Sequence, residues 1–448
     1  RATDGRGTLT SFKYDSLNRL IAEITELDGN ANLLTPQDIM TQFQYNDRGQ
    51  KTQEISPNGN QARFVHDIMG RQVGLLRKAQ NLPAQYVSKL NFPLLTELRN
   101  SAFDIEIVTF EYDAVGNKTA EIDALGRRTS FEYDGLGRLV KKTDPLGLAE
   151  SFEYDAAGNR IKAVDVRNNT TAFSYDALSR LAEVVKPLGV KSQFDYDKVG
   201  NKIAERVFRG GTPLTTQFQY DDLSRLVKTI DPAGQEEGFS YDGVGNRTGR
   251  EDPAKNAFEF RYDEINRLVQ QIETLKTPDP SKTVQRLTTT AYDQNGNTLR
   301  QTDPEGRSSL FKYDRVNNLT ERREIGKRTN YSAGDAGDLV TRFQYDKMGN
   351  RTAVVAPTGE VTSSVYDPLD RLIETMQRFN KLNELGFVTS ATQDISTRFD
   401  YDREGNLRRQ IDANGRPVEY EYDALGRRVR TTDVLGNSNV TVFDDRNG

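Results

Sequence analysis

Ser130-Phe131-Glu132-Tyr133-Asp134-Gly135-Leu136-Gly137-Arg138-Leu139-Val140-Lys141-Lys142-Thr143-Asp144-Pro145-Leu146-Gly147 carries two turn signals. Asp134 to Gly137 reads Asp-x-x-Gly, and Asp144 to Gly147 reads Asp-Pro-x-Gly. Asp suits the first turn position because its carboxylate accepts the backbone N–H two residues on. Pro pre-sets the dihedral of the second position, and Gly takes the left-handed one at the end. Turns every 10 or 11 residues leave room only for short antiparallel strands. Phe131 and Tyr133, two apart, share one face of such a strand, while Ser130, Glu132 and Asp134 fall on the other. The stretch reads as one β-hairpin.

The hairpin recurs. Tyr-Asp pairs begin at Tyr14, Tyr112, Tyr133, Tyr154, Tyr175, Tyr196, Tyr220, Tyr241, Tyr262, Tyr292, Tyr313, Tyr345, Tyr366, Tyr401 and Tyr422. Tyr45-Asn46, His66-Asp67 and Phe443-Asp444 are degenerate copies in the same register, which makes about 18. The commonest spacing is 21 residues. A second period lies inside the first. Turns end alternately in Gly-Asn form (Gly116-Asn117, Gly158-Asn159, Gly200-Asn201) and Arg-Leu form (Arg138-Leu139, Arg180-Leu181, Arg225-Leu226), so the full unit is two hairpins, about 42 residues.

The expected fold is all-β: a continuous antiparallel hairpin meander of about 36 strands. At about 4.8 Å per strand a flat sheet would be roughly 170 Å wide, and open sheets of more than about 10 strands curl or split. The meander is therefore expected to coil into a spiral or hollow tube, its one aromatic face knitted by Phe/Tyr ladders and its other face largely charged. Residues 1–448 read as a single repeat segment. Long spacings follow Arg-type copies and place inserted loops near 27–40, 77–107, 274–287, 326–340 and 379–395, all on one sheet edge. The largest contains Leu90, Phe92, Leu94 and Leu95 and is expected to act as a plug or to pack across neighbouring strands.

Composition narrows function. The chain has 448 residues, 35% hydrophobic, with net charge −5, no Cys, no Trp and one His. Cysteine nucleophiles, disulfide frameworks and Cys or multi-His zinc sites are excluded. A Ser-His-Asp triad would have to use His66. Interspersed charges of both signs argue against nucleic acid and polybasic membrane partners, and no apolar run reaches a membrane-spanning length. The first residue is Arg1, so a processed product or a fragment is expected.

The run Tyr-Asp-x-x-Gly-Arg-Leu…Thr-Asp-Pro-x-Gly, as at Tyr133–Gly147 and Tyr422–Gly436, resembles the RHS/YD-repeat family over essentially the whole chain. That family includes bacterial RHS proteins, the cocoon component of insecticidal toxin complexes, wall-associated toxins and animal teneurins. The resemblance implies a hollow β-shell that, in the bacterial toxins, encloses a C-terminal toxic domain cleaved from it. The self-cleavage segment of the family is not recognisable here, so the resemblance transfers the wall role and no catalytic residue.

The positions expected to matter are structural. They are Tyr112, Asp113, Tyr133, Asp134, Gly137, Tyr154, Asp155, Tyr175, Asp176, Tyr196, Asp197, Tyr220, Asp221, Tyr241, Asp242, Tyr262, Asp263, Tyr422 and Asp423. No catalytic, cofactor or metal residue is assigned. His66, in a Tyr slot, reads as an aromatic-sized replacement rather than a catalyst or metal ligand. The turn Asp residues could contribute to calcium sites if turns stacked, but one per turn supplies too few oxygens, and turn capping is the favoured reading. Pairs such as Glu132/Asp134 repeat along the chain and so read as repeat chemistry rather than glycosidase acid and base. Asn117, Asn246 and Asn350 form glycosylation sequons that follow from the Gly-Asn consensus. The expected function is a non-enzymatic wall of a secreted or cell-surface, most simply bacterial, shell around a polypeptide cargo. Its partners would be that cargo or neighbouring shell segments. The alternative is a surface filament or adhesin whose aromatic ladders stack on glycans.

Overall fold

The computed structural model describes residues 1–4, 8–26, 38–57, 59–78, 105–210, 212–277, 279, 282–325, 338–367, 369–382, 388–402 and 404–443. Among them are 36 strands, one short 3-10 turn at Pro187–Gly189 and no α-helix. The strands belong to one sheet and pair antiparallel with their chain neighbours. Among the described residues no helix is long and apolar enough to cross a membrane. The chain resolves into two compact units. Unit 1 comprises residues 1–149, 312–322 and 339–444, and unit 2 comprises 150–311, 323–338 and 445–448.

The hairpin at Tyr133 shows how the sequence makes the fold. The strand Arg128–Tyr133 pairs with Leu139–Thr143, Phe131 opposite Lys142 and Tyr133 opposite Leu139, with a register shift between Glu132 and Tyr133. The shift makes room for a tight turn in which the Gly137 N–H donates to the Asp134 carbonyl and the Asp134 N–H to that of Arg138. Gly137 closes it at φ 74°, a conformation that costs other residues a Cβ clash. The same shift recurs at Tyr175, Tyr220, Tyr262 and Tyr422.

Side chains alternate as expected. In Thr170–Tyr175 and Ala257–Tyr262 the positions carrying Phe and Tyr are half-buried and those between them exposed. Two features differ from expectation. The aromatic face carries its own charges, because Glu54, Glu121 and Glu205 lie opposite Phe43, Phe110 and Phe194. In the first strands of unit 1 the other face is not largely charged, although later in the same unit it carries exposed pairs such as Glu132–Lys141. Ile24, Val65, Leu76, Ile107 and Ala120 lie on it, and all are buried.

The inserts vary. Residues 27–37, 79–104 and 326–337, with Leu90, Phe92, Leu94 and Leu95, lie outside the described residues. The segment 274–287 is mostly strand: Leu268–Lys276 pairs with Thr283–Tyr292 as far as Lys276 opposite Thr283. Leu372–Leu382 likewise pairs with Val388–Tyr401 out to Leu382 opposite Val388. Where an insert is rich in Thr and other residues that tolerate extended backbone, added ladder pairs satisfy its amides and carbonyls better than an open loop would.

Candidate functional site

The turns form a ladder along the sheet edge, and the Tyr-Asp pair is its fastening. The Asp134 carboxylate accepts the Leu136 N–H at 2.9 Å, the Arg138 N–H at 3.0 Å and Arg138 Nε at 2.7 Å. Asp113, Asp155, Asp176, Asp197, Asp221, Asp242, Asp263 and Asp423 accept the amide four residues on in the same way. These bonds favour the ionised form. The Arg138 amide is the leading cause that holds Asp134 below the usual carboxylate range, and the Arg180, Arg225 and Arg267 amides do the same for Asp176, Asp221 and Asp263. At Asp113 and Asp155 the leading cause is the side-chain amide of Asn117 or Asn159.

Tyr carries the fastening to the previous repeat. The Tyr133 hydroxyl donates to the Lys118 carbonyl at 2.9 Å. Tyr112, Tyr175, Tyr196, Tyr220, Tyr241, Tyr262 and Tyr422 reach back to Gln72, Arg160, Leu181, Lys202, Leu226, Arg247 and Leu407. Phe could fill the slot but could not make this bond. Tyr154 and Asp155 occupy the same positions of their repeat.

The 42-residue alternation has a physical cause that residue spacing alone did not reveal. In Arg-type turns the guanidinium reaches forward. Arg180 donates to the Asp197 carbonyl and lies over the Tyr196 ring, and Arg225 treats Asp242 and Tyr241 alike. In Asn-type turns the side-chain amide reaches the next turn's left-handed residue, Asn201 to Ser224 Oγ and Asn246 to Asn266 Oδ1. Where Lys follows the Asn, its ammonium sits between two rings. Lys118 lies over Phe110 and Phe131, and Lys202 over Phe194 and Phe218. The alternation of Gly-Asn-Lys/Arg with Arg-Leu was the available signal. The sequon residues Asn117, Asn246 and Asn350 use their side-chain amides inside this ladder. Glu132 is not a partner of Asp134 but pairs with Lys141 in solvent.

His66 stands where other repeats have Tyr. Its Nδ1 is buried without a hydrogen-bond partner, and burial lowers its pKa, opposed by Asp67. It lines an open cleft of about 470 Å³ with Asn46, Arg48, Gln50, Phe64 and Ile68. Among the described residues no three His, Asp or Glu side chains converge as metal ligands.

Unit 1 adds a second contact, between opposite sheet edges. Thr8 Oγ1 donates to the Arg315 carbonyl at 3.0 Å, Lys347 Nζ to that of Asp38 at 3.2 Å, and an Arg127 terminal nitrogen to that of Asp423 at 3.4 Å. The partners are 307, 309 and 296 residues apart. Thr8, Asp38 and Arg127 lie at the edge away from the Tyr-Asp turns, whereas Arg315, Lys347 and Asp423 lie in Tyr-Asp turns. Unit 1 therefore docks one edge of its sheet on the other. Glu404, in the Tyr-Asp turn Asp402–Asn406, is half-buried at this seam, and both its carboxylate oxygens are shielded from solvent without a hydrogen-bond partner. Burial, reinforced by Asp402 and Asp123 and opposed by Arg127, pushes its pKa up to about 7.

A hairpin-repeat protein with a turn ladder and docked edges is the class that this geometry defines. The RHS Repeat family matches residues 112–149, 133–170, 154–191, 292–329 and 401–438. The chain is 30% identical over 177 residues to double-stranded DNA deaminase toxin A of Burkholderia cenocepacia (strain H111), covering 39% of this chain and 11% of that protein. It is 34% identical over 97 residues to Teneurin-1 of Homo sapiens, covering 21% of this chain and 3% of the other. The crystal structure of TcdB2-TccC3 without its hypervariable C-terminal region superposes with TM-score 0.59 at 16% identity, over 94% of this chain and 23% of that one. The Photorhabdus luminescens Tc holotoxin pore gives 0.54 at 13%, over 94% and 26%. The chain is an RHS/YD-repeat protein, and its antiparallel hairpin fold is that of these solved structures. It spans only a small part of the length of these relatives.

Proposed function

We propose that this chain is a non-enzymatic wall segment of a secreted or cell-surface shell that encloses or presents a polypeptide cargo. The observation that carries the reading is the seam of unit 1, where a repeat sheet meets itself edge to edge. A sheet fastened this way leaves no open edge along the join, which is what a wall requires. The chemistry of the repeats supports a structural role. Their carboxylates cap turns or pair with Lys and Arg, and no acid–base pair stands apart from the repeat pattern among the described residues. The glycan-binding alternative has less support, since many of the ladder rings already carry a cation.

Limited proteolysis of the full-length polypeptide tests the proposal. A non-repeat segment that resists protease until the repeats are unfolded supports enclosure. A segment digested as fast as the same segment in isolation overturns it.

A further inference from the structure

The third residue of each Tyr-Asp turn, two after the Asp, is apolar in most repeats. In unit 2 these residues are Leu178, Val199, Leu223, Val244 and Ile265, and they are 63 to 78% exposed. They come from consecutive turns, which the Arg and Asn ladder binds into one edge. The result is a continuous apolar ridge open to solvent. In unit 1 the same turn position is equally exposed at Leu17, Met69, Val115 and Leu136, but Val316 and Met348 are half-buried. They directly follow Arg315 and Lys347, the residues that bond across the unit 1 seam. One position in one kind of turn is thus covered where edges dock and bare where they do not.

We propose that the Tyr-Asp edge of unit 2 is a docking surface for the opposite, Asp-Pro-x-Gly edge of a second copy of this chain. The chemistry of the occupant follows from unit 1, where the covering partner is the opposite edge of the same repeat sheet. Unit 2 carries that complementary edge too, with Pro232, Ala233 and Gly234 exposed at the Asp231 turn. Lys198, beside Val199, holds the turn position of Lys347 and is exposed; it is placed to donate to a carbonyl of the incoming edge as Lys347 donates to Asp38. Such a contact joins unlike surfaces, so it is head-to-tail and open-ended rather than a closed dimer. It rests on the docking seen in unit 1 and not on any cargo.

The test is sedimentation velocity over a concentration series, on the wild type and on the Val199→Asp/Val244→Asp double variant. The wild type is expected to form species of rising mass with concentration, and the double variant to remain monomeric with an unchanged circular dichroism spectrum and Tm. Because the chain has no Cys, mixing Val199→Cys with Ala233→Cys protein provides an independent readout. Cross-links are expected in the mixture and not in either protein alone. A wild type that stays monomeric throughout, association unaffected by the double variant, or Val199→Cys protein that cross-links to itself would each overturn the proposal.

Discussion

The face opposite the Phe/Tyr ladder differs between the first strands of unit 1 and the strands of unit 2. In unit 1 it buries Ile24, Val65, Leu76, Ile107 and Ala120, with Leu76 and Ile107 almost wholly inaccessible at 1% and 0%. In unit 2 it carries ion pairs such as Glu153–Lys162, Lys228–Glu236 and Glu259–Arg261, whose side chains lie largely in solvent. The turns beneath are the same, with the same capping Asp and the same Tyr hydroxyl bonds. The repeat therefore fixes the hairpin and its attachment to the next hairpin, while burial of the second face is set locally and separately from the repeat.

The largest expected effect sharpens this contrast. Leu76→Ala and Ile107→Ala should each cost about 2–5 kcal/mol, because each removes fully buried side-chain volume. Lys162→Ala should stay within about 0.5 kcal/mol, since exposed ion pairs contribute little. Urea unfolding of the variants measures both, and equal costs would dissolve the distinction between the faces.

The second prediction tests what the units share. Asp221→Ala removes an acceptor for the Leu223 and Arg225 amides and for Arg225 Nε. A lower Tm and urea midpoint are expected, because hydrogen bonds to a charged group are stronger than neutral ones. Asp423→Ala in unit 1 should cost the same. Tyr241→Phe, which leaves the Leu226 carbonyl without its hydroxyl donor, should cost about 0.5–1.5 kcal/mol. Unequal costs for the two Asp variants would mean that the ladder is not one device repeated.

The third concerns pH and is confined to unit 1. Glu404 is shifted from the ordinary 4.5 up to about 7 in the folded chain. Folding therefore favours its proton, and the native state loses stability as pH rises from 4.5 to 7, with the full penalty present above that window. Glu404→Gln should match the wild type in Tm near pH 4.5 and exceed it at pH 8. The capping Asp residues act in the opposite sense. Their lowered values make stability fall as pH drops below about 4, in both units. A constant Tm difference between Glu404→Gln and wild type across pH would remove Glu404 from the seam.

A small stabilising effect belongs to unit 2. Leu188 has φ 64° with its side chain fully exposed, so it bears left-handed strain with no packing to offset it. Leu188→Gly should stabilise by about 1 kcal/mol, read as a rise in Tm. No gain would mean that the turn at Lys186–Val190 relaxes in solution.

The hairpins, their strands and the shared face of Phe131 and Tyr133 were legible in the sequence because turn chemistry and two-residue alternation are local. The alternation of Asn and Arg turns was visible as a pattern, but its cause lay in contacts between successive turns, Arg180 with Asp197 and Asn201 with Ser224. Docking of Thr8 on Arg315 and burial of Glu404 depend on residues roughly 300 apart, which no local pattern encodes. Leu76 and Ile107 sit in ordinary strand positions, and nothing in their own repeats marks them as buried.

The edge-to-edge docking of unit 1 is tested most directly by cross-linking. A Thr8→Cys/Val316→Cys variant introduces the only two thiols in the chain, beside the hydrogen bond from Thr8 to Arg315. With a short bifunctional thiol reagent at high dilution, the predicted product is one linker joining both cysteines within a single chain, seen by intact mass and peptide mapping. Two cysteines that each react separately, under conditions where the protein remains folded, would contradict the docked edges and the wall built on them.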